Sequence, residues 1–85
     1  MASIAVSGSP FTGNSTGYKT FAVYIASSGS ATLYALAGND PDVSARWIAV
    51  PDAAYTASTV ATHHCDLGLL YKWVLTGDAV VAFAG

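Results

Sequence analysis

The sequence has no glutamate, no glutamine and only three basic residues, Lys19, Arg46 and Lys72. Glu, Gln, Lys and Arg sustain exposed helix faces, so their scarcity argues against a helical fold. Without Glu, paired-carboxylate chemistry would need two Asp. Asp40 and Asp42 flank Pro41 in a segment better suited to a turn. The single cysteine, Cys65, leaves no intrachain disulfide and gives no sign of a disulfide-stapled scaffold. A net charge of −2 offers no basic patch, so neither nucleic acid nor an anionic membrane is an expected partner. No apolar run reaches the roughly 18 residues of a membrane helix. Leu67 to Gly85 comes nearest, but Lys72, Gly77 and Asp78 interrupt it. The segment after Met1 lacks the basic and apolar regions of a secretory signal. Asn14-Ser15-Thr16 fits a glycosylation sequon and reads instead as a polar turn.

What remains is apolar. Of 85 residues, 53% are hydrophobic and 9% charged, against about 45–50% and about 25% in an ordinary soluble domain. A chain of this length is one domain, 1–85. It buries only about 60–65% of its unfolded surface, so some of its exposed surface must be apolar. Contiguous apolar surface marks contact with something else.

Ala, Val, Ile, Thr, Tyr and Trp fill short runs bounded by Gly, Ser, Asn, Asp and Pro, the pattern of strands separated by turns. Strands are expected at Ser3–Ser7, Thr20–Ala26, Ala31–Ala37, Ala45–Val50, Leu69–Leu75 and Ala79–Ala84, with a looser segment at Tyr55–Ala61. Gly8–Gly17 reads as a loop, and 1–17 as a flexible N-terminal arm. Ser27-Ser28-Gly29-Ser30 predicts a hairpin joining Thr20–Ala26 to Ala31–Ala37, and Pro51-Asp52 an end to the strand before it. Six or seven short strands imply an all-β fold, a small antiparallel sandwich or barrel.

Period-2 alternation assigns faces. Phe21, Val23 and Ile25 point one way, opposite Thr20, Ala22, Tyr24 and Ala26. Leu33 opposes Tyr34 and Leu36. Leu69, Tyr71, Trp73 and Leu75 oppose Leu70, Lys72 and Val74. Several strands are apolar on both faces, chiefly Ala31–Ala37 and Leu69–Ala84. A monomeric sandwich would keep one face polar, so one sheet face is expected to meet another subunit. The candidate contact residues are Tyr24, Tyr34, Leu36, Trp47, Tyr71 and Trp73, since aromatics anchor interfaces well.

His63-His64-Cys65-Asp66 is the one cluster with metal-binding chemistry. In a strand, His63 and Cys65 share one side and His64 and Asp66 the other, so each side holds two ligands where a structural zinc site wants four. These read as turn or edge residues. No Gly-x-Ser-x-Gly elbow or phosphate loop is present. No catalytic residue, metal or cofactor is expected.

Four segments in order carry a family resemblance: Phe21-Ala22-Val23-Tyr24-Ile25; Ser30 to Leu36 leading to the Gly-Asn-Asp turn and Trp47; Leu70 to Gly77; and Ala79 to Gly85. Together they resemble small β-sandwich virion proteins of tailed bacteriophages, over about three-quarters of the chain. Trp47 follows Arg46 in place of the family's polar context, and His63 to Gly68 has no counterpart. The resemblance implies a capsid decoration or cement protein, commonly a homotrimer, that binds the major capsid protein or another virion protein and is located in the virion. The alternative is a tail or fibre receptor-binding module that contacts glycans through exposed aromatics.

Overall fold

The structure, a computed structural model, describes residues 2–84. Met1 and Gly85, the outermost positions of the expected arm and of the family resemblance, lie outside the described residues. Eight strands follow in chain order: β1 (Ala2–Ile4), β2 (Phe11–Thr12), β3 (Tyr18–Tyr24), β4 (Gly29–Leu36), β5 (Trp47–Tyr55), β6 (Thr59–His64), β7 (Leu70–Gly77) and β8 (Val80–Ala84). They form two four-stranded antiparallel sheets, A in the order β1-β8-β3-β6 and B in the order β2-β7-β4-β5. The fold is the expected all-β sandwich. It has eight strands rather than six or seven because β2 lies inside the segment expected to be a loop.

The core follows the alternation. Phe21, Leu33, Trp73 and Val81 are fully buried between the sheets, with Val23, Ile25, Ala31, Ala53, Cys65 and Tyr71 around them. The Phe21 and Trp73 rings meet edge to face, centroids 5.0 Å apart at 72°, a geometry that adds to their area burial. Each large apolar side chain buried this way contributes about 1.5–3 kcal/mol.

The expected hairpin between the second and third predicted strands does not form. β3 lies in sheet A, paired with β6 and β8, and β4 lies in sheet B, paired with β5 and β7. The chain crosses between sheets at Ser27-Ser28, and a carboxylate from elsewhere holds it there. Asp78 Oδ2 accepts from Ser27 N (2.9 Å), Ser27 Oγ (3.1 Å) and Ser28 N (3.3 Å). Gly29 stands opposite Gly77 at the same corner. Gly77 has φ +60°, and a Cβ there would collide with the Ser28 carbonyl, so only glycine fits. The β3–β4 and β7–β8 crossings thus pack against each other.

The N-terminal segment is not a free arm. β1 pairs with β8, and Ala5 N then donates to Val81 O. Gly8 N donates to Trp73 O, Leu75 N donates to Ser7 Oγ, and Phe11 stands opposite Tyr71. The chain passes from an edge of sheet A to an edge of sheet B and ties the two together. The Phe11 ring stacks on Phe83 at 5.0 Å. That burial and the backbone bonds offset the ordering entropy a Gly- and Ser-rich segment would otherwise keep.

β5 continues through Pro51-Asp52, where the sequence predicted an end. Its register with β4 shifts between Thr32 and Tyr34, and Asp52 adopts φ +59°. β5 is an edge strand, where a proline costs no ladder bond on its solvent side.

Candidate interaction surface

The His63–Asp66 cluster is split by the strand. His64 Nε2 and Asp66 Oδ1 are 3.1 Å apart on the outside. Cys65 is fully buried, and burial, only partly countered by Lys19, pushes its thiol up to about 11. Asp66 N donates to Tyr71 Oη (2.9 Å). His63 faces the interior side, its Nε2 2.6 Å from Tyr55 Oη, and burial lowers its pKa. Burial, then the nearby Asp52 charge, raises that of Tyr55. Among the described residues no three His, Cys or Asp side chains converge as metal ligands.

The six predicted contact residues fall in three places. Trp73 and Tyr71 are core residues, 0% and 3% exposed, and offer nothing to a neighbour. They sit on the inward face of β7, which the alternation located but could not label as inner. Leu36 and Trp47 stand opposite each other on the outer side of sheet B, yet they too are buried, at 1% and 8% exposed. The segment between them folds back: Trp47 Nε1 donates to Pro41 O (3.0 Å), and Ala37 N to Arg46 O. Lys72 Nζ lies 4.5 Å from the centroid of the Trp47 ring. Tyr34, opposite Lys72, is half-buried. Tyr24 alone of the six is freely exposed, on the outer face of sheet A.

That face gathers five of the ten large hydrophobic side chains exposed among the described residues, Ile4, Tyr18, Tyr24, Val60 and Val80. Phe21 and Val23 point inward, so Ala22 and Tyr24 point out, and register extends the set across the sheet. Ala22 lies between Val60 on β6 and Ala82 on β8, and Ala82 lies beside Ile4 on β1. Val80 stands opposite Tyr24. Val60 is 71% exposed, Ile4 62%, Tyr24 60% and Val80 41%. Two alanines, Ala22 and Ala82, sit at the centre among larger side chains. Thr20 and Thr62 share a hydroxyl hydrogen bond of 2.8 Å on the same face. At about 4.8 Å spacing and about 3.3 Å rise per residue, the 21 residues of the four strands give a plane of roughly 330 Å². None of its described residues is Asp, Lys or Arg. A patch of this size is at the scale of functional contact surfaces.

The sequence signalled half of this surface. Thr20, Ala22 and Tyr24 were assigned one face, but Ile4, Tyr18, Val60 and Val80 were not joined to it. Only the strand order β1-β8-β3-β6 brings them together. Of the two-faced stretches Ala31–Ala37 and Leu69–Ala84, the β4 and β7 parts have outer sides that the 37–46 segment and Lys72 partly cover, while the β8 part lies in sheet A and gives Val80 and Ala82 to its bare face.

Compared with protein-family models, with curated proteins and with solved structures, the chain matches none. Its function is read from its fold and surface.

Proposed function

We propose that this protein is a non-enzymatic assembly subunit whose sheet A covers, and is covered by, a neighbouring protein. The observation that carries the reading is the uncharged outer face of sheet A, with Val60, Ile4 and Tyr24 more than half exposed. Burying such a face is favourable at about 25 cal/mol per Å² of apolar surface, and many copies on one shell stabilise it collectively by mass action. We assign the shell to a phage virion, with the protein as a capsid decoration or cement subunit. That narrower step is supported by the resemblance of Phe21 to Gly85 to such proteins.

The glycan-binding alternative loses its strongest residues. Sugar stacking needs an open aromatic face, and Trp47 and Trp73 are 8% and 0% exposed.

The test is rebinding to particles. Particles purified from the source of this gene should carry the protein in many copies and, once stripped of it, take it back at micromolar concentration. Ala22→Lys, a charge set at the centre of the outer face of sheet A, should weaken rebinding at least tenfold. Particles that lack the protein, or wild-type protein that fails to rebind, would overturn the virion assignment. Undiminished rebinding of Ala22→Lys would overturn the role of this face.

A further inference from the structure

The four edge strands differ in how they close the hydrogen-bond ladder. Sheet A ends at β1 and β6, sheet B at β2 and β5. β1 has three residues and β2 two. β5 carries Pro51, a register shift and the left-handed Asp52. Short length, proline and bulges are the devices that blunt an edge against further pairing. β6 has none of them. Its six residues, Thr-Val-Ala-Thr-His-His, include no proline, Asp, Lys or Arg, and they pair with β3 without a shift.

Hydrogen-bond alternation shows which backbone groups of β6 stay open. Cys65 N donates to Gly17 O, and the backbone N and O of Ile25 both bond Ser58 Oγ. Odd-numbered residues of β3 and β6 therefore face each other's main chain. Across β8 the same parity holds, since Ala5 N reaches Val81 O on the far side. Because alternate residues bond to opposite sides, Val60, Thr62 and His64 direct their N–H and C=O groups away from the sheet. No group among the described residues meets them.

We propose that β6 pairs with β6 of a second copy of this chain, antiparallel about a two-fold axis at Thr62, so that two A sheets become one eight-stranded sheet. The proposal rests on the reading of the protein as an assembly subunit and names one of its partners. The strip is complementary to itself. Thr62 meets Thr62 of the other copy, and Val60 meets His64 in both directions, which is the isologous pattern a two-fold axis requires. Each of the three outward residues supplies a donor and an acceptor, giving about six new backbone bonds. No Asp, Lys or Arg opposes another across the axis, and none lies on this strand to attract a charged partner. The pairing leaves the outer face of sheet A free and makes it continuous across both copies. An edge strip is smaller than the roughly 800 Å² per partner of a standard interface, so affinity in the micromolar range is expected. The product is a dimer, where the sequence resemblance implies a trimer.

Sedimentation of the intact protein from about 1 to about 300 μM, spanning a micromolar Kd, should show a monomer–dimer equilibrium. Thr62→Lys sets two ammonium groups against each other and should raise the dimer Kd at least tenfold while the far-ultraviolet spectrum stays native. Thr62→Cys should form a disulfide-linked dimer on mild oxidation, because directly opposed Cα atoms at about 5.5 Å lie within disulfide reach. Ala22→Cys, in the middle of the sheet face, should not cross-link, and the buried Cys65 does not compete. If Thr62→Lys fails to fold, the cross-linking pair decides. A wild-type protein that stays monomeric, a dimer indifferent to Thr62→Lys, or cross-linking at Ala22→Cys in place of Thr62→Cys would overturn the pairing. Monomers that still rebind particles would end the edge pairing and leave the assembly reading intact. Dimers that bind no particle would do the reverse.

Discussion

Burial sets the behaviour of single residues. Trp73 packs against Phe21 and Tyr55, so Trp73→Ala should cost about 3–5 kcal/mol in denaturant unfolding. That is a large part of the roughly 5–15 kcal/mol such domains hold. Tyr24→Ala, on the open face, should change stability by no more than about 0.5 kcal/mol. The contrast checks which predicted contact residues are core. Cys65, buried and with its thiol pushed up to about 11, should resist thiol reagents at pH 7.5 in the native protein and react fully once unfolded, since the thiolate is the reactive form. His63 is held below the usual imidazole value by burial. The unfolded chain therefore takes up that proton first as pH falls through about 6.5, and this group's contribution to stability declines below that point. An imidazole titration by NMR should place its midpoint below 6.5, and thermal unfolding should follow the same slope. Lys19 shows how narrowly a residue's role can escape its sequence. The alternation that turns Phe21 inward also turns Lys19 inward, but the predicted strand began one residue later. Lys19 is 2% exposed, its ammonium 3.0 Å from Asn14 Oδ1 and near the rings of Phe83 and Phe11. The sequon-like turn thus has a structural use, because Asn14 also donates to Tyr18 O.

At the scale of elements, the decisive device is the corner where two crossings meet. Gly77→Ala would place a side chain at φ +60° against the Ser28 carbonyl. A loss of at least about 1–2 kcal/mol is expected from the left-handed backbone alone, read as a lowered unfolding midpoint. Burial pulls the Asp78 carboxyl upward, but hydrogen bonds from Ser28 and Ser27 outweigh it and hold its pKa below the usual value. A depressed carboxylate stabilises the fold above its unfolded pKa of about 3.9, and that contribution is lost as pH falls through the folded value. Asp78→Ala should flatten the acid limb of the stability curve. None of this corner was legible locally. Ser27 to Ser30 announces a reversal, and Thr76-Gly77-Asp78 announces another fifty residues later. Nothing in either segment states that they bond to each other.

For the whole molecule, the consequence is a division of surfaces. One sheet's outer side is partly covered by its own chain, through the fold-back onto Trp47, while the other is left bare. Ala22→Lys, in the middle of the face, should weaken particle binding and leave dimerisation unchanged, whereas Thr62→Lys lies at the edge and on the same face, so its effect is read by dimerisation alone. A chain with 9% charged residues has few charges to place. One of its three cations is buried as Lys19, so the surface is poorer in charge than the composition suggests.

By itself the sequence determined the all-β class, which residues of β3, β4, β7 and β8 share a face, and the two-plus-two split of His63 to Asp66. Each of these follows from period-2 geometry, a local property of the backbone. Only the tertiary structure decided which strands are neighbours, that residues 2–17 are bound into both sheets, and which apolar face is covered. Alternation makes both strand faces equivalent until a second sheet buries one, and a turn fixes that the chain reverses without fixing the sheet it enters. Those choices depend on contacts between residues far apart in the chain, such as Asp78 with Ser27 and Phe11 with Phe83.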